Sequence, residues 1–186
     1  MNRFDATLLP IAGVFLLKSH LFSDPRGGFR RIFCAGDLEN FGWNASISQV
    51  NISCTTSAGT VRGMHMQIPP YAELKIVQCI RGEIYDVCVD MRAGSPTFLS
   101  HCAVRLSSQD AEAILIPRGV AHGFQALSDN VEVLYLHSEA YNPDYEVGFS
   151  VSDPAFNIRW PEPVANLSAR DAGHQLMPGN YSGVLL

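Results

Sequence analysis

From about Val61 to His137 the chain is a succession of short runs, each ended by turn chemistry, and that rhythm constrains the fold most. Lys75–Arg81 (KIVQCIR) meets Gly82 and is followed by Ile84–Met91 (IYDVCVDM). Cys102–Leu106, Glu112–Ile116 and Val131–His137 come next, spaced by SSQD, PRG and SDN. Runs of this length between turn residues read as strands. The first resembles one leg of a hairpin with Arg81-Gly82 near its bend. In VEVLYLH a period of two places Val131, Val133, Tyr135 and His137 on one face and Glu132, Leu134 and Leu136 on the other. Both faces are largely apolar, as expected for a strand between two packed layers. Many short strands without long helical periodicity predict a β-sandwich or closed barrel. Helix is expected only in short pieces, around Ala35–Phe41 and within Ala169–Leu176. A tail marked by Pro161, Pro163 and Pro178 is expected to wrap the body.

At 186 residues the chain suits one domain, 1–186, with N-terminal strands and a C-terminal wrapping tail. With 47% apolar and 17% charged residues it describes a compact soluble globule. A net charge of −5 argues against electrostatic nucleic-acid binding but leaves room for a basic pocket that takes an anion. No stretch approaches the ~20 consecutive apolar residues of a membrane span. The opening MNRFDATLLPIAGVFLLKSHLF is interrupted by Asp5 and Pro10 and lacks a clustered basic start. It therefore reads as a first strand and not a secretion signal. The five cysteines are odd in number and form no CxxC, and three sit in apolar runs, which predicts a reduced, cytoplasmic protein.

Two segments carry candidate chemistry. Gly59-Thr-Val-Arg-Gly-Met-His-Met-Gln67 and Pro117-Arg-Gly-Val-Ala-His-Gly-Phe124 each place a histidine after a glycine-containing turn. Strict alternation puts Val61, Gly63, His65 and Gln67 on one face and Arg62, Met64 and Met66 on the other. Two histidines brought together from distant segments point to a metal site or to acid/base chemistry. A metal site of the HxH–Glu–His kind lacks one nitrogen here, because the first pair reads His65-Met66-Gln67. A facial set of His65, Glu73 and His122 is the metal alternative. Such ions prefer imidazole or carboxylate to the Met66 thioether, so acid/base chemistry with no metal is the favoured expectation.

RGMHMQIPP, ELKIV, RGEIYDVCVDMR, GSPTF, IPRGVAHGFQALSD, VLY and DPAFNIRWP occur in this order. Together they resemble the dTDP-4-dehydrorhamnose 3,5-epimerase family, over about Phe22 to Leu176. The resemblance implies an all-β, cupin-type double-stranded β-helix (jelly roll) with short peripheral helices. It implies epimerisation at C3 and/or C5 of a nucleotide-linked 4-keto-6-deoxyhexose through an enolate, with no cofactor. His65 takes the place of the family's catalytic base and Asp171, in Leu167-Ser168-Ala169-Arg170-Asp171, that of its partner. Lys75 corresponds to the lysine placed to stabilise the enolate, and Tyr135 to the general acid on the opposite sugar face. His122 belongs to the same pocket. Arg62, Gln49, Asn51 and Arg26 match positions that hold the nucleotide diphosphate and base, and Phe29 and Tyr141 join this substrate-binding set. The resemblance also implies a homodimer that exchanges an N-terminal strand, setting Arg26 and Phe29 over the partner's pocket.

The residue types suit that chemistry in their own right. A 4-ketone acidifies the C3 and C5 hydrogens, yet the base still needs a cation to stabilise the enolate. Histidine supplies a base near neutrality, and an aspartate behind it fixes its tautomer. Alternatives are a 3,4-ketoisomerase acting on a similar nucleotide sugar, a non-catalytic binding module, or a metal-dependent cupin. Asp24, Asp90 and Arg92 read as structural, Arg81 and Arg105 as surface residues, and no function is assigned to His20, His101, His137 or His174. Departures from the family pattern point to a different nucleotide sugar or to a single inverted carbon. Arg31 stands where a glutamate is expected, Leu136 follows Tyr135 in place of lysine, Ala140-Tyr141 replaces a tyrosine pair, and Glu73 precedes Lys75 by two residues.

Overall fold

The computed structural model describes residues 3–186. Its strands are β1 (Phe4–Leu8), β2 (Phe15–Ser19), β3 (Leu21–Asp24), β4 (Gly27–Arg30), β5 (Gln49–Thr55), β6 (Val61–Gln67) and β7 (Lys75–Arg81). After these come β8 (Glu83–Asp90), β9 (His101–Ser107), β10 (Glu112–Ile116), β11 (Val120–Ala126), β12 (Val131–His137) and β13 (Glu146–Gly148). Two antiparallel sheets result, one of six strands in the order β1-β2-β10-β7-β12-β5 and one of five in the order β13-β6-β11-β8-β9; β3 and β4 pair as a separate hairpin. This is the predicted jelly roll.

The alternation within the strands explains the layering. Val77, Cys79, Ile84, Cys88, Leu106, Ile114, Phe124, Val131 and Val133 meet in one core between the sheets. Leu17, Ala113, Leu115 and Leu136 point the other way, into a second cluster with Phe4, Leu38 and Trp43. Both apolar faces read from VEVLYLH are thus used. The second cluster is covered by α1 (Ala35–Leu38) and the 3-10 turn Glu39–Phe41, within the helical stretch expected there. On the outside of the five-stranded sheet, Met64, Met66, Val87 and Val89 pack beneath Phe149, Val151, Phe156, Trp160 and Tyr181. The tail is tied down by bridges from Ala165 to Thr60 and from Val184 to Arg92. Its helix, α2 (Ala169–Ala172), stops short of Leu176, and the Ser168 hydroxyl accepts from the Asp171 amide at its start. Among the described residues no helix is long and apolar enough to cross a membrane.

Three expectations are corrected. The opening segment, read as a first strand, holds β1, β2 and the start of β3, because the turn at residues 10–13 folds it back on itself. Gly82 does not close a hairpin: β7 pairs with β10 and β12, whereas β8 pairs with β11 and β9 in the other sheet. The glycine, at φ +78°, turns the chain through a corner so tight that a Cβ would stand 2.5 Å from the Ser128 hydroxyl. Nor does β6 alternate strictly. His122 opposes His65 and Phe124 opposes Arg62, so β6 carries one residue more than β11 over that interval. The extra residue is a bulge. It leaves Val61 in the outer cluster with Met64 and Met66, and turns Arg62 and His65 to the same inner side.

Candidate active site

Beside the shared core, between the sheets, lies a cavity of about 640 Å³. The five-stranded sheet contributes Arg62 and His65 from β6 and His122 from β11. The six-stranded sheet contributes Asn51 and Ser53 from β5, Lys75 from β7, and Tyr135 and His137 from β12. α2 adds Arg170 and Asp171 at the rim. Strand pairing sets these positions, with His65 across from His122, Tyr135 across from Asn51 and His137 across from Lys75.

His65 Nε2 lies 2.8 Å from Asp171 Oδ1. A carboxylate partner places the proton on Nε2 and leaves the ring's lone pair on Nδ1. Burial works against ionising Asp171, but His65 and the Gly63 amide outweigh it and hold the carboxyl below its ordinary value. A second pair lies deeper, where His122 Nε2 meets Asp86 Oδ2 at 2.8 Å. Lys75 Nζ is 2.7 Å from Glu73 Oε1, and the Gln67 amide donates to the same carboxylate. Burial opposes the charge on Glu73, yet Lys75 and Gln67 keep its carboxyl below the usual range. The Tyr135 hydroxyl is 3.2 Å from that of Ser53, and burial pushes the phenol's pKa well up despite that contact. It is therefore a protonated donor at neutral pH. His137 is driven down to about 4, first by burial and then by the Lys75 charge, so it stays neutral at pH 7 and is a weak base.

Of the expected residues, His65, Asp171, Lys75, Tyr135, His122, Arg62 and Asn51 line this one cavity. Gln49 and Tyr141 stand in a smaller adjoining recess, where the Gln49 side chain accepts from the Tyr141 amide. Arg26 and Phe29 are not brought to it. They sit on the exposed β3–β4 hairpin, where Arg26 is paired with Asp24. The facial set of His65, Glu73 and His122 is not assembled, because Glu73 is engaged by Lys75 and His122 by Asp86.

His137 and His174, to which the sequence assigns no function, lie in and beside the cavity, and Asp86, Glu146 and Arg170 are further residues there that the sequence does not single out. Asp86 had a signal: it shares the inner face of β8 with Ile84 and Cys88, and a carboxylate among core residues requires a partner. Arg170 had none. Its guanidinium bridges Glu146 on β13 and reaches within 3.2 Å of His65 Nε2, a meeting that only the packed tail produces.

The family model for dTDP-4-dehydrorhamnose 3,5-epimerase matches residues 8–178. The chain is 42% identical over 182 residues to the dTDP-4-dehydrorhamnose 3,5-epimerase of Mycolicibacterium smegmatis, covering 95% of this chain and 88% of that protein. Its structure is similar to that of the Bacillus anthracis enzyme of the same name with TDP and pyrophosphate bound: TM-score 0.90, 36% identity, 94% of this chain and 99% of that one. It is also similar to ChmJ, a 3'-monoepimerase from Streptomyces bikiniensis in complex with dTDP-quinovose, with TM-score 0.82, 32% identity and coverage of 90% and 85%.

Proposed function

Because the chain belongs to the dTDP-4-dehydrorhamnose 3,5-epimerase family, we propose that it epimerises C3 and/or C5 of a nucleotide-linked 4-keto-6-deoxyhexose, with His65 as the base. The observation that carries this reading is the cavity's two-sided chemistry. His65, backed by Asp171 from α2, projects from one sheet and the Tyr135 hydroxyl from the sheet facing it.

His65 takes the proton from the carbon next to the ketone, and the electron pair moves onto the C4 oxygen as an enolate. Asp171 stabilises the imidazolium so formed. Lys75, held by Glu73, provides a fixed cation for the enolate oxygen in a site largely shielded from water. Tyr135 then returns a proton to the opposite face, inverting the centre, and both side chains reset by exchange with water. The balance involves protons only, with no redox step. His122, oriented by Asp86, lies with its ring centroid 6.3 Å from that of Tyr135 and supports the phenol. Arg62, steadied by Thr55 and the Cys54 carbonyl, offers its charge to the diphosphate.

Two copies are proposed to exchange their β3–β4 hairpins across β5, an open edge of the six-stranded sheet. Phe29, Leu21 and Phe22 on the hairpin and Val50 and Ile52 on β5 are all exposed, an apolar surface that calls for a partner. A partner's hairpin added there would bring its Arg26 and Phe29 beside Asn51 at the cavity. Five unpaired thiols suit a cytoplasmic protein.

The test is proton exchange in deuterated water with dTDP-4-keto-6-deoxyglucose and its CDP and GDP counterparts. Deuterium at C3, C5 or both is expected, and the count gives the number of centres turned over. His65→Ala should lower incorporation by ~10²–10⁴ while the far-ultraviolet circular dichroism stays unchanged. No incorporation from any of the sugars would overturn the reading.

A further inference from the structure

His174 has no part in the mechanism above, yet its ring lies beside the base, with centroids 5.9 Å apart. Its Nε2 is buried without a hydrogen-bond partner and stands 3.9 Å from Asp171 Oδ1. β13 makes room for it with glycine: a Cβ on Gly148 would fall 2.0 Å from that nitrogen. His65, Asp171 and His174 thus present two imidazole nitrogens and a carboxylate oxygen, all within 4.8 Å of one another.

We propose that these three side chains form an inhibitory site for a zinc-like divalent cation. Two imidazoles and a carboxylate with an open fourth position are a common zinc set. Ligands ~2.1 Å from a tetrahedral ion stand ~3.4 Å apart, so atoms within 4.8 Å of one another close on a metal after side-chain shifts of up to about an ångström. The Arg170 guanidinium, 3.2 Å from His65 Nε2, opposes a cation there. Its side chain is 52% exposed and can swing into solvent, which frees the Glu146 carboxylate at the rim of the same cavity.

The consequence rests on the reading of His65 as the base. The metal takes the place of the proton on Nε2, and that proton passes through water to Nδ1. A neutral imidazole coordinated at Nε2 carries its remaining proton on Nδ1, so the ring has no lone pair left to accept one from substrate. Asp171, now bound to the ion, no longer serves the imidazolium. The cation therefore competes with catalysis.

The experiment is a calorimetric titration of chelator-treated, untagged protein with zinc chloride, with deuterium exchange measured across the same concentrations. One zinc per chain is expected, with exchange lost in step with occupancy and restored by EDTA. His174→Ala should weaken zinc binding at least about tenfold and keep metal-free exchange within about threefold of wild type. Cys54→Ser, which removes the exposed thiol, should leave the zinc affinity unchanged. Absence of binding, equal affinity in His174→Ala, or an affinity that falls with Cys54 would overturn the site. Zinc bound at full occupancy with exchange intact would overturn the inhibition. Metal-free wild type without exchange counts against the epimerase reading alone, and the titration still decides the site.

Discussion

At the scale of the residue, the three cavity histidines are set apart by their neighbours. His65 has Asp171 at its Nε2 and His122 has Asp86, whereas His137 faces the Lys75 ammonium. The carboxylates orient their imidazoles, whereas burial and then the ammonium hold His137 neutral. Tyr135 is distinguished in the same way, since burial keeps its phenol protonated and hence a donor. If it delivers the proton to the face opposite His65, removing its hydroxyl separates two events that wild type couples. In Tyr135→Phe, exchange of the substrate C–H with deuterated water should persist, because His65 still forms the enolate. Inverted product should fall by ~10² or more. Nuclear magnetic resonance of the recovered sugar distinguishes label with retention from label with inversion. Equal loss of both would remove Tyr135 from the acid role. That His65, Asp171, Lys75 and Tyr135 share one cavity was legible from the motifs that carry them. Asp86 was half legible, as a charge on a core-facing strand position. His174 and Arg170 were not, because residues on a tail acquire a role only from the strand they land on.

At the scale of the element, β6 carries the arrangement through its bulge. Strand parity is a local rule, and it places Arg62 and His65 on opposite faces. The extra residue opposite Gly123 overrides that rule and puts both in the cavity. Gly63 makes this possible, with φ at +134° and no side chain where a Cβ would stand 2.5 Å from the Gly123 Cα. Gly63→Ala should therefore cost about 3 kcal/mol in urea unfolding, from strain and overpacking together. It should also abolish exchange even at temperatures where the variant is folded. An alanine tolerated within 0.5 kcal/mol, roughly the effect of an ordinary surface change, would show that the bulge has another cause. The Gly82 corner has a similar origin. KIVQCIRGEIYDVCVDM has the local look of a hairpin, but the two strands find partners far along the chain, in β10 and β12 on one side and β11 and β9 on the other. Nothing local records which neighbours a strand will take.

At the scale of the whole molecule, the two sheets cover each other, helix and tail cover their outer faces, and the β3–β4 hairpin stays uncovered. Phe29 is 69% exposed there, and Ile52 on the β5 edge is 57% exposed. If the hairpin docks on a second copy, Phe29→Glu should convert a dimer to a monomer in light scattering at micromolar concentration. Activity should be lost with it, since Arg26 would leave the partner's cavity. A monomeric wild type with full activity would remove the exchanged hairpin from the site. The sequence by itself determined the extents of β7, β10 and β12, the two-faced burial of β12, the short helices and the residue types suited to enolate chemistry. These follow from side-chain period and from motifs, both carried by neighbouring residues. Tertiary structure alone decided the corner at Gly82, the parity break at Gly63, the Asp86–His122 pair and the approach of Arg170 and His174 to His65. Each depends on which distant segment packs against which, and contacts made across the fold leave no regular spacing along the chain.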